Sequence, residues 1–281
     1  MIFEHEIPTG SRLYFGKIAK AKRDLENKAS NFLQNKEFEE IVTPNFSYSG
    51  HQSIDDDKEL ITLTDESNNS LALRADSTLD VVRIISKRLG RATVHKKWFY
   101  IQPVFTYPAN ETYQIGAEWI GHNDISEMIS LNCELLKELS INPLVQIANI
   151  NIPTLISKEL DIDIELFKNG EIGQLFDLDI AWLTKLINIK DIEDFKNMMD
   201  IIPPYLKQEC QNLINIASKV SYNNVNISPL YYSAMKYYDN IYYRVIDKNL
   251  TLAKGGGYKS DGISSLGFAL YTDNLLKILE D

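Results

Sequence analysis

Two long strand-like runs, Trp98 to Phe105 and Thr112 to Ile120, are separated by only six residues, Thr106-Tyr-Pro-Ala-Asn-Glu111. A link that short has no room for the crossover helix that joins parallel neighbours, so the two runs pair antiparallel. Further strand-like segments occur at Phe38-Glu-Glu-Ile-Val-Thr-Pro44, at Leu144 to Ile150, at Ile241 to Val245, at Thr251 to Ala253 and at Leu266 to Tyr271. ELITLTD and SLALRAD, on either side of Ser67-Asn68-Asn69, form an expected hairpin. Helical spacing appears at residues 14 to 34, with Phe15, Ile18, Leu25, Ala29, Phe32 and Leu33 on one stripe. It recurs at Ser77 to Leu89, where Asp76 or Ser77 is the expected N-cap and Val81, Ile84 and Ile85 turn inward. A further helix follows Asp124, and a closing one runs from Thr272 to Leu279. Antiparallel strands in succession, with helices before and among them, predict an α+β fold. From 153 to 228 the chain turns Leu/Ile-rich, acidic and helical, broken by Pro203-Pro204. The expected organisation is a core of residues 1–152 and 229–281 with a mainly helical insertion at 153–228.

Composition narrows the function classes. The 281 residues are 44% hydrophobic and 24% charged, which suits an ordinary globular chain. Lys and Arg total 29 against 39 Asp and Glu, a net charge of −10. Nucleic-acid affinity comes largely from neutralising phosphates, so this chain is repelled by such partners on average. Two cysteines, Cys133 and Cys210, are too few and too isolated for a disulfide framework or a CxxC metal site. No stretch approaches the ~20 apolar residues of a membrane span, and MIFEHEIPTG lacks the pattern of a secretory signal. A cytoplasmic protein without a membrane contact is the expectation.

Several constellations bear on chemistry. Gly255-Gly256-Gly257 lacks the Lys-Ser/Thr of a P-loop and sits between strands, so a close-packed bend is preferred over a phosphate cradle. Gln114 and Glu118, four apart on a strand, share one face. They are either a solvated face or the wall of a pocket for a small cationic or amphoteric ligand. Arg74-Ala75-Asp76-Ser77-Thr78 stands at a strand-to-helix joint, where Asp and Thr most simply cap the helix. Tyr237-Tyr238 and Tyr242-Tyr243 flank Asp239-Asn240 and read as core packing around a turn. His5, His51, His95 and His122 show neither HxxxH nor triad spacing, and no metal-ligand pair or GxSxG elbow is present. From these residues alone the chain is an α+β binder of a small molecule, with no cofactor and no metal.

Taken in order, the segments resemble the catalytic core of the class II histidyl-tRNA synthetases. They resemble still more their paralogues, the regulatory subunits of ATP phosphoribosyltransferase. Phe38 to Pro44 after a long helix is similar to class II motif 1, the dimer-forming segment. Leu71-Ala-Leu-Arg-Ala-Asp-Ser-Thr78 is similar to the "LRPD/E-x-T" signature. Gln102-Pro-Val-Phe105 through Gln114-Ile-Gly-Ala-Glu118 resembles motif 2 and the "HQxGxE" strand that follows it. Met235-Lys-Tyr-Tyr238 and Gly255-Gly-Gly-Tyr258 resemble "RGLDYYTG" and "GGRYD", and Gly267-Phe-Ala-Leu270 with the last helix resembles motif 3.

The resemblance implies a class II synthetase-like antiparallel sheet flanked by helices. It implies a histidine site at Asp76, Thr78, Gln114, Glu118, Tyr238 and Tyr258, with Asp76 and Thr78 at the positions that hold the amino group. The departures are equally informative. Thr106, Ser233 and Asn274 stand where the synthetases carry arginines for ATP, and the bulky Tyr271 replaces a small residue. Losing one group that stabilises developing phosphoryl charge costs ~10²–10³ in rate, so adenylation is not expected, and an anticodon-binding domain after motif 3 is not expected either. The resemblance therefore implies a non-catalytic regulatory subunit in histidine biosynthesis. It would activate the short-form ATP phosphoribosyltransferase catalytic subunit, carry histidine feedback allosterically, and form a homodimer through the motif 1 region, without a role for tRNA. The alternatives are a free-standing paralogue binding histidine or another metabolite, and a diverged class II ligase.

Overall fold

The computed structural model describes residues 6–51, 59–90, 92–189, 191–232, 238–260 and 262–280. The chain divides into two compact units, one of residues 1–121, 138–141 and 260–281 and the other of 122–137 and 142–259.

In the first unit, β5 (Lys97–Thr106) and β6 (Asn110–Ile120) form the expected antiparallel hairpin, with a connection even shorter than the sequence suggests. β11 (Ile263–Tyr271) pairs antiparallel with the other edge of β6, and β1 (Glu39–Glu40) pairs parallel with β5. The strand expected over 38–44 shrinks to those two residues because Thr43 and Pro44 give their carbonyls to a buried arginine instead of a ladder. A smaller sheet has the order β2-β4-β3, from Phe46–Tyr48, Ser70–Leu73 and Thr62–Thr64. Its β3–β4 hairpin turns where Ser67-Asn68-Asn69 predicts, with Asn68 at φ 62° and the Asp65 carboxylate accepting from the Ser67 and Asn69 amides. Strand β2 was not foreseen.

Helix α1 (Gly16–Asn35) buries Leu25, Ala29 and Leu33, a stripe of period four. Phe15 and Ile18, placed on that stripe by the sequence, are exposed at its start. Helix α2 (Thr78–Ile84) begins after Ser77, which makes no side-chain cap bond, and buries Val81 and Val82. It widens into a π turn over Ile85–Leu89. Helix α9 (Thr272–Glu280) buries Leu275 and Leu276.

In the second unit, the strands run β10-β9-β7-β8, from Leu250–Ser260, Tyr238–Asp247, Leu144–Asn149 and Val225–Ile227. Helix α3 (Ile125–Glu138) starts behind Asp124, whose carboxylate accepts from the Ser126 amide. Hydrogen bonds from Ser126, and then Lys219, hold that carboxyl below its usual range. Between β7 and β8 the chain is helical: α4 (Asn151–Leu160), α5 (Glu165–Lys168), α6 (Ala181–Ile187), α7 (Ile192–Asn197) and α8 (Pro204–Lys219). Pro204 is the first residue of α8, where its missing N–H has no partner to lose. Ile152, Ile156, Leu206, Cys210 and Leu213 are buried here. Two expectations are corrected. Asp239-Asn240 is not a turn but part of β9, and Gly255–Gly257 is not a bend but the interior of β10.

No described helix is long and apolar enough to cross a membrane. Residues 52–58, Ser233 and 234–237 lie outside the described residues, as does His5.

Candidate functional site

Arg74 organises the first unit around itself. It is 1% exposed, and its guanidinium donates to the carbonyls of Thr43 (2.9 Å), Pro44 (3.0 Å) and Pro103 (2.6 Å) and to Asn45 Oδ1 (3.1 Å). Burial draws its pKa down, opposed by the Asp80 carboxylate. Planar, five-donor geometry lets one side chain tie the 43–45 segment to strand β5. The consequence is that the residues after it, Asp76, Ser77 and Thr78, are fixed beside β5. Gln102 completes the brace, donating to Thr43 Oγ1 (3.0 Å) and Ser77 Oγ (3.2 Å).

On the other side of that joint stands Tyr100, fully buried, its hydroxyl 3.4 Å from Thr78 Oγ1. Burial pushes the phenol pKa well above its usual value, and the charges of Glu118 and then Asp76 push it further. Tyr100 therefore stays a neutral donor while two carboxylates face it. Two glycines make this arrangement sterically possible. A Cβ on Gly116, opposite Tyr100 in the ladder, would lie 2.1 Å from its ring, and one on Gly267 would lie 1.9 Å from Glu118 Oε2. Both side chains thus lie flat across the strand beside their own. Glu118 is completely buried.

The structure accordingly gathers Asp76, Thr78 and Glu118 about Tyr100. Gln114 shares the face of β6 with Glu118, but four residues of strand separate their Cα atoms by about 13 Å. It stands level with Gln102 on β5 and Tyr271 on β11. Tyr238 and Tyr258 belong to the second unit, where they are Cα partners on β9 and β10, and Tyr258 is 1% exposed. Thr106 ends β5, Tyr271 ends β11 and Asn274 lies in the first turn of α9. Sequence reasoning missed Tyr100, Gly116 and Gly267 as site builders. The signal was available in Gly116, the one residue without a side chain between Gln114 and Glu118 on their shared face.

Chemically, a neutral phenol, a hydroxyl and two carboxylates in a dry setting favour an ammonium or a protonated ring. The Arg74 guanidinium is spent on carbonyls. Among the described residues no group of three His, Cys, Asp or Glu side chains is placed to hold a metal.

The profile of the histidyl-tRNA synthetase family matches residues 16–193. An ATP phosphoribosyltransferase regulatory subunit from Wolinella succinogenes is 43% identical over 99% of this chain and 96% of its own. One from Helicobacter hepaticus is 40% identical over 99% of both chains. This chain belongs to the histidyl-tRNA synthetase-like family of ATP phosphoribosyltransferase regulatory subunits. Among solved structures, a Bacillus halodurans protein described as an ATP phosphoribosyltransferase regulatory subunit/histidyl-tRNA synthetase superposes with a TM-score of 0.86. It covers 99% of this chain and 84% of its own at 20% identity, which speaks for the class II synthetase-like fold. The family's α+β fold is thus the one observed, as the motif order implies.

Proposed function

We propose that this protein is a non-catalytic regulatory subunit of ATP phosphoribosyltransferase, activating a short-form catalytic subunit and transmitting histidine feedback to it. The observation that carries this reading is the near end-to-end identity with two relatives of that name. The site chemistry supports it. Asp76 and Glu118 beside the neutral Tyr100 suit a histidine ammonium and imidazole, with Thr78 and Gln114 as further polar contacts. Tyr238 and Tyr258 are proposed contributors by family resemblance. Thr106 and Asn274 stand where the synthetases carry ATP-binding arginines, and Tyr271 replaces a small residue, so the reading is of a pocket kept without its adenylation chemistry. We propose the helical stretch 153–228 as an insertion into a synthetase-like core.

Feedback requires histidine to bind one state of the assembly better than another, with a coupling of ~1–3 kcal/mol typical of allosteric pairs. Self-association through the motif 1 region is also proposed. In its support, Val42, Phe46 and Tyr48 in and just after this segment are 76%, 53% and 54% exposed, apolar surface that water does not favour. Isothermal titration with histidine, in the presence and absence of the catalytic subunit, together with size-exclusion of the mixture, tests the reading. Co-elution and a histidine heat support it. Separate elution, or no heat at millimolar histidine with the partner present, contradicts it.

A further inference from the structure

The second unit contains a cavity of about 460 Å³, within the ~300–1,000 Å³ range of small-molecule sites. Gln146 of β7, Tyr242 of β9 and Lys254 of β10 line it, with Phe167, Leu186 and Tyr231 from the segments around them. Lys254 stands directly opposite Arg244 in the β9–β10 ladder, and Arg244 directly opposite Gln146 in the β7–β9 ladder. The three side chains therefore form one row on one face of the sheet.

The polar contacts around this row are specific. Arg244 Nε donates to Gln146 Oε1, and its guanidinium lies 4.0 Å over the Tyr231 ring, which stacks on Tyr242 at 5.6 Å. Gln146 Nε2 in turn donates to Ser228 Oγ, so this carboxamide is already engaged at both ends. Among the described residues none that lines the cavity is Asp or Glu. Lys168, at the rim, is paired with Glu165 at 2.6 Å. Among the described residues no carboxylate pairs with Lys254 or Arg244. Burial, then the neighbouring Arg244 charge, holds the Lys254 ammonium below its usual range. Two adjacent cations, half withdrawn from water and without a counter-charge among the described residues, disfavour the empty state. A bound anion relieves both terms.

We propose that this cavity binds a small organic anion, its carboxylate or phosphate head on Lys254, with Arg244 adding charge from the neighbouring strand, and its flat or apolar body against Phe167, Leu186 and Tyr242. None of the described residues lining the cavity is Asp76, Thr78, Gln114, Glu118 or Tyr258, so the site is tested separately from histidine binding.

The test is titration calorimetry and thermal shift on the full chain with phenyl phosphate, benzoate and inorganic phosphate as probes. Phenyl phosphate or benzoate is expected to bind and raise the Tm, the tighter of the two identifying the head group, and inorganic phosphate is expected to bind more weakly than phenyl phosphate. Two variants share the burden, so that a folding failure in one leaves the other. Lys254→Met is expected to weaken binding about tenfold or more with a ligand-free Tm at or above that of the wild type. Ile187→Trp, which fills the cavity without touching a charge, is expected to abolish binding. Retention of affinity in Lys254→Arg supports a charge contact. The proposal is overturned if neither organic probe binds at about 10 mM, where a site with millimolar Kd would be nearly saturated. It is equally overturned if both variants bind as the wild type does, if inorganic phosphate binds as tightly as phenyl phosphate, or if histidine displaces the probe.

Discussion

The two units solve one steric problem in the same way and then diverge in charge. In the first, Gly116 and Gly267 let Tyr100 and Glu118 lie flat across neighbouring strands. In the second, Gly255 does the same for Tyr243, whose ring would be 2.6 Å from a Cβ there and whose hydroxyl accepts from Asn132 Nδ2 at 3.2 Å. The charges acting on Tyr100 are the carboxylates of Glu118 and Asp76, and in the second unit the row beside the cavity carries Arg244 and Lys254. Glycine supplies flat space in both units, but in the second the charged row of Arg244 and Lys254 lies on the opposite face of the sheet from Gly255 and Tyr243.

The sharpest break of this comparison is Arg74→Ala. Only the first unit depends on a buried guanidinium bonded to three backbone carbonyls, so stability should fall by about 3–5 kcal/mol, read by urea denaturation. A loss below about 1 kcal/mol would show that the brace does not set the Asp76–Thr78 joint. Arg74→Lys should recover little, because a point charge cannot reach all the acceptors that the fork reaches.

Charge is separated from shape by a crossed pair of titrations. Glu118→Gln should weaken histidine by about 1.5–3 kcal/mol, the worth of a hydrogen bond to a charged group, and leave phenyl phosphate binding untouched. Lys254→Met should do the reverse. If either variant affects both ligands equally, the units are not chemically distinct sites.

Gly255→Ala should destabilise by about 1–3 kcal/mol, since the Tyr243 ring is buried and cannot give way. Gly267→Ala meets instead the free end of a carboxylate. It should displace Glu118 and cost histidine affinity more than stability, seen by comparing titration and melting on one sample. The smallest effect expected is chemical silence. Cys133 and Cys210 are both free and buried, and burial pushes each thiol up to about 12. Neither thiolate is populated at pH 8, so a disulfide exchange reagent should label neither until the chain is unfolded. Fast labelling of the native protein would show that one of these cores opens.

The parts of the fold legible in the sequence are those set by neighbours along the chain. The β5–β6 hairpin, the Ser67–Asn69 turn and the period-four stripe of α1 follow from local pattern. The parts that were not legible depend on distant partners. Residues 41–44 look like strand, but Arg74 claims the Thr43 and Pro44 carbonyls, and β2 exists because β4 pairs with Phe46–Tyr48. Asp239-Asn240 carries a turn's composition, yet β9 is extended from its start at Tyr238, paired there with Tyr258 of β10. The candidate site shows the same division. Glu118, Asp76 and Thr78 could be named from motif order. The central place of Tyr100 depends on where Gly116 falls across the ladder. The half-buried position of Lys254, in a cavity with no carboxylate among its described lining residues, depends on distant segments that no local pattern encodes.

The most direct test of the regulatory role is the rate of phosphoribosyl-ATP formation by the short-form catalytic subunit from the same source. It is measured alone, with this protein, and with this protein plus histidine. The predicted result is a rise in rate that histidine suppresses, with the suppression lost in Glu118→Gln. An unchanged rate with no complex formed contradicts the role.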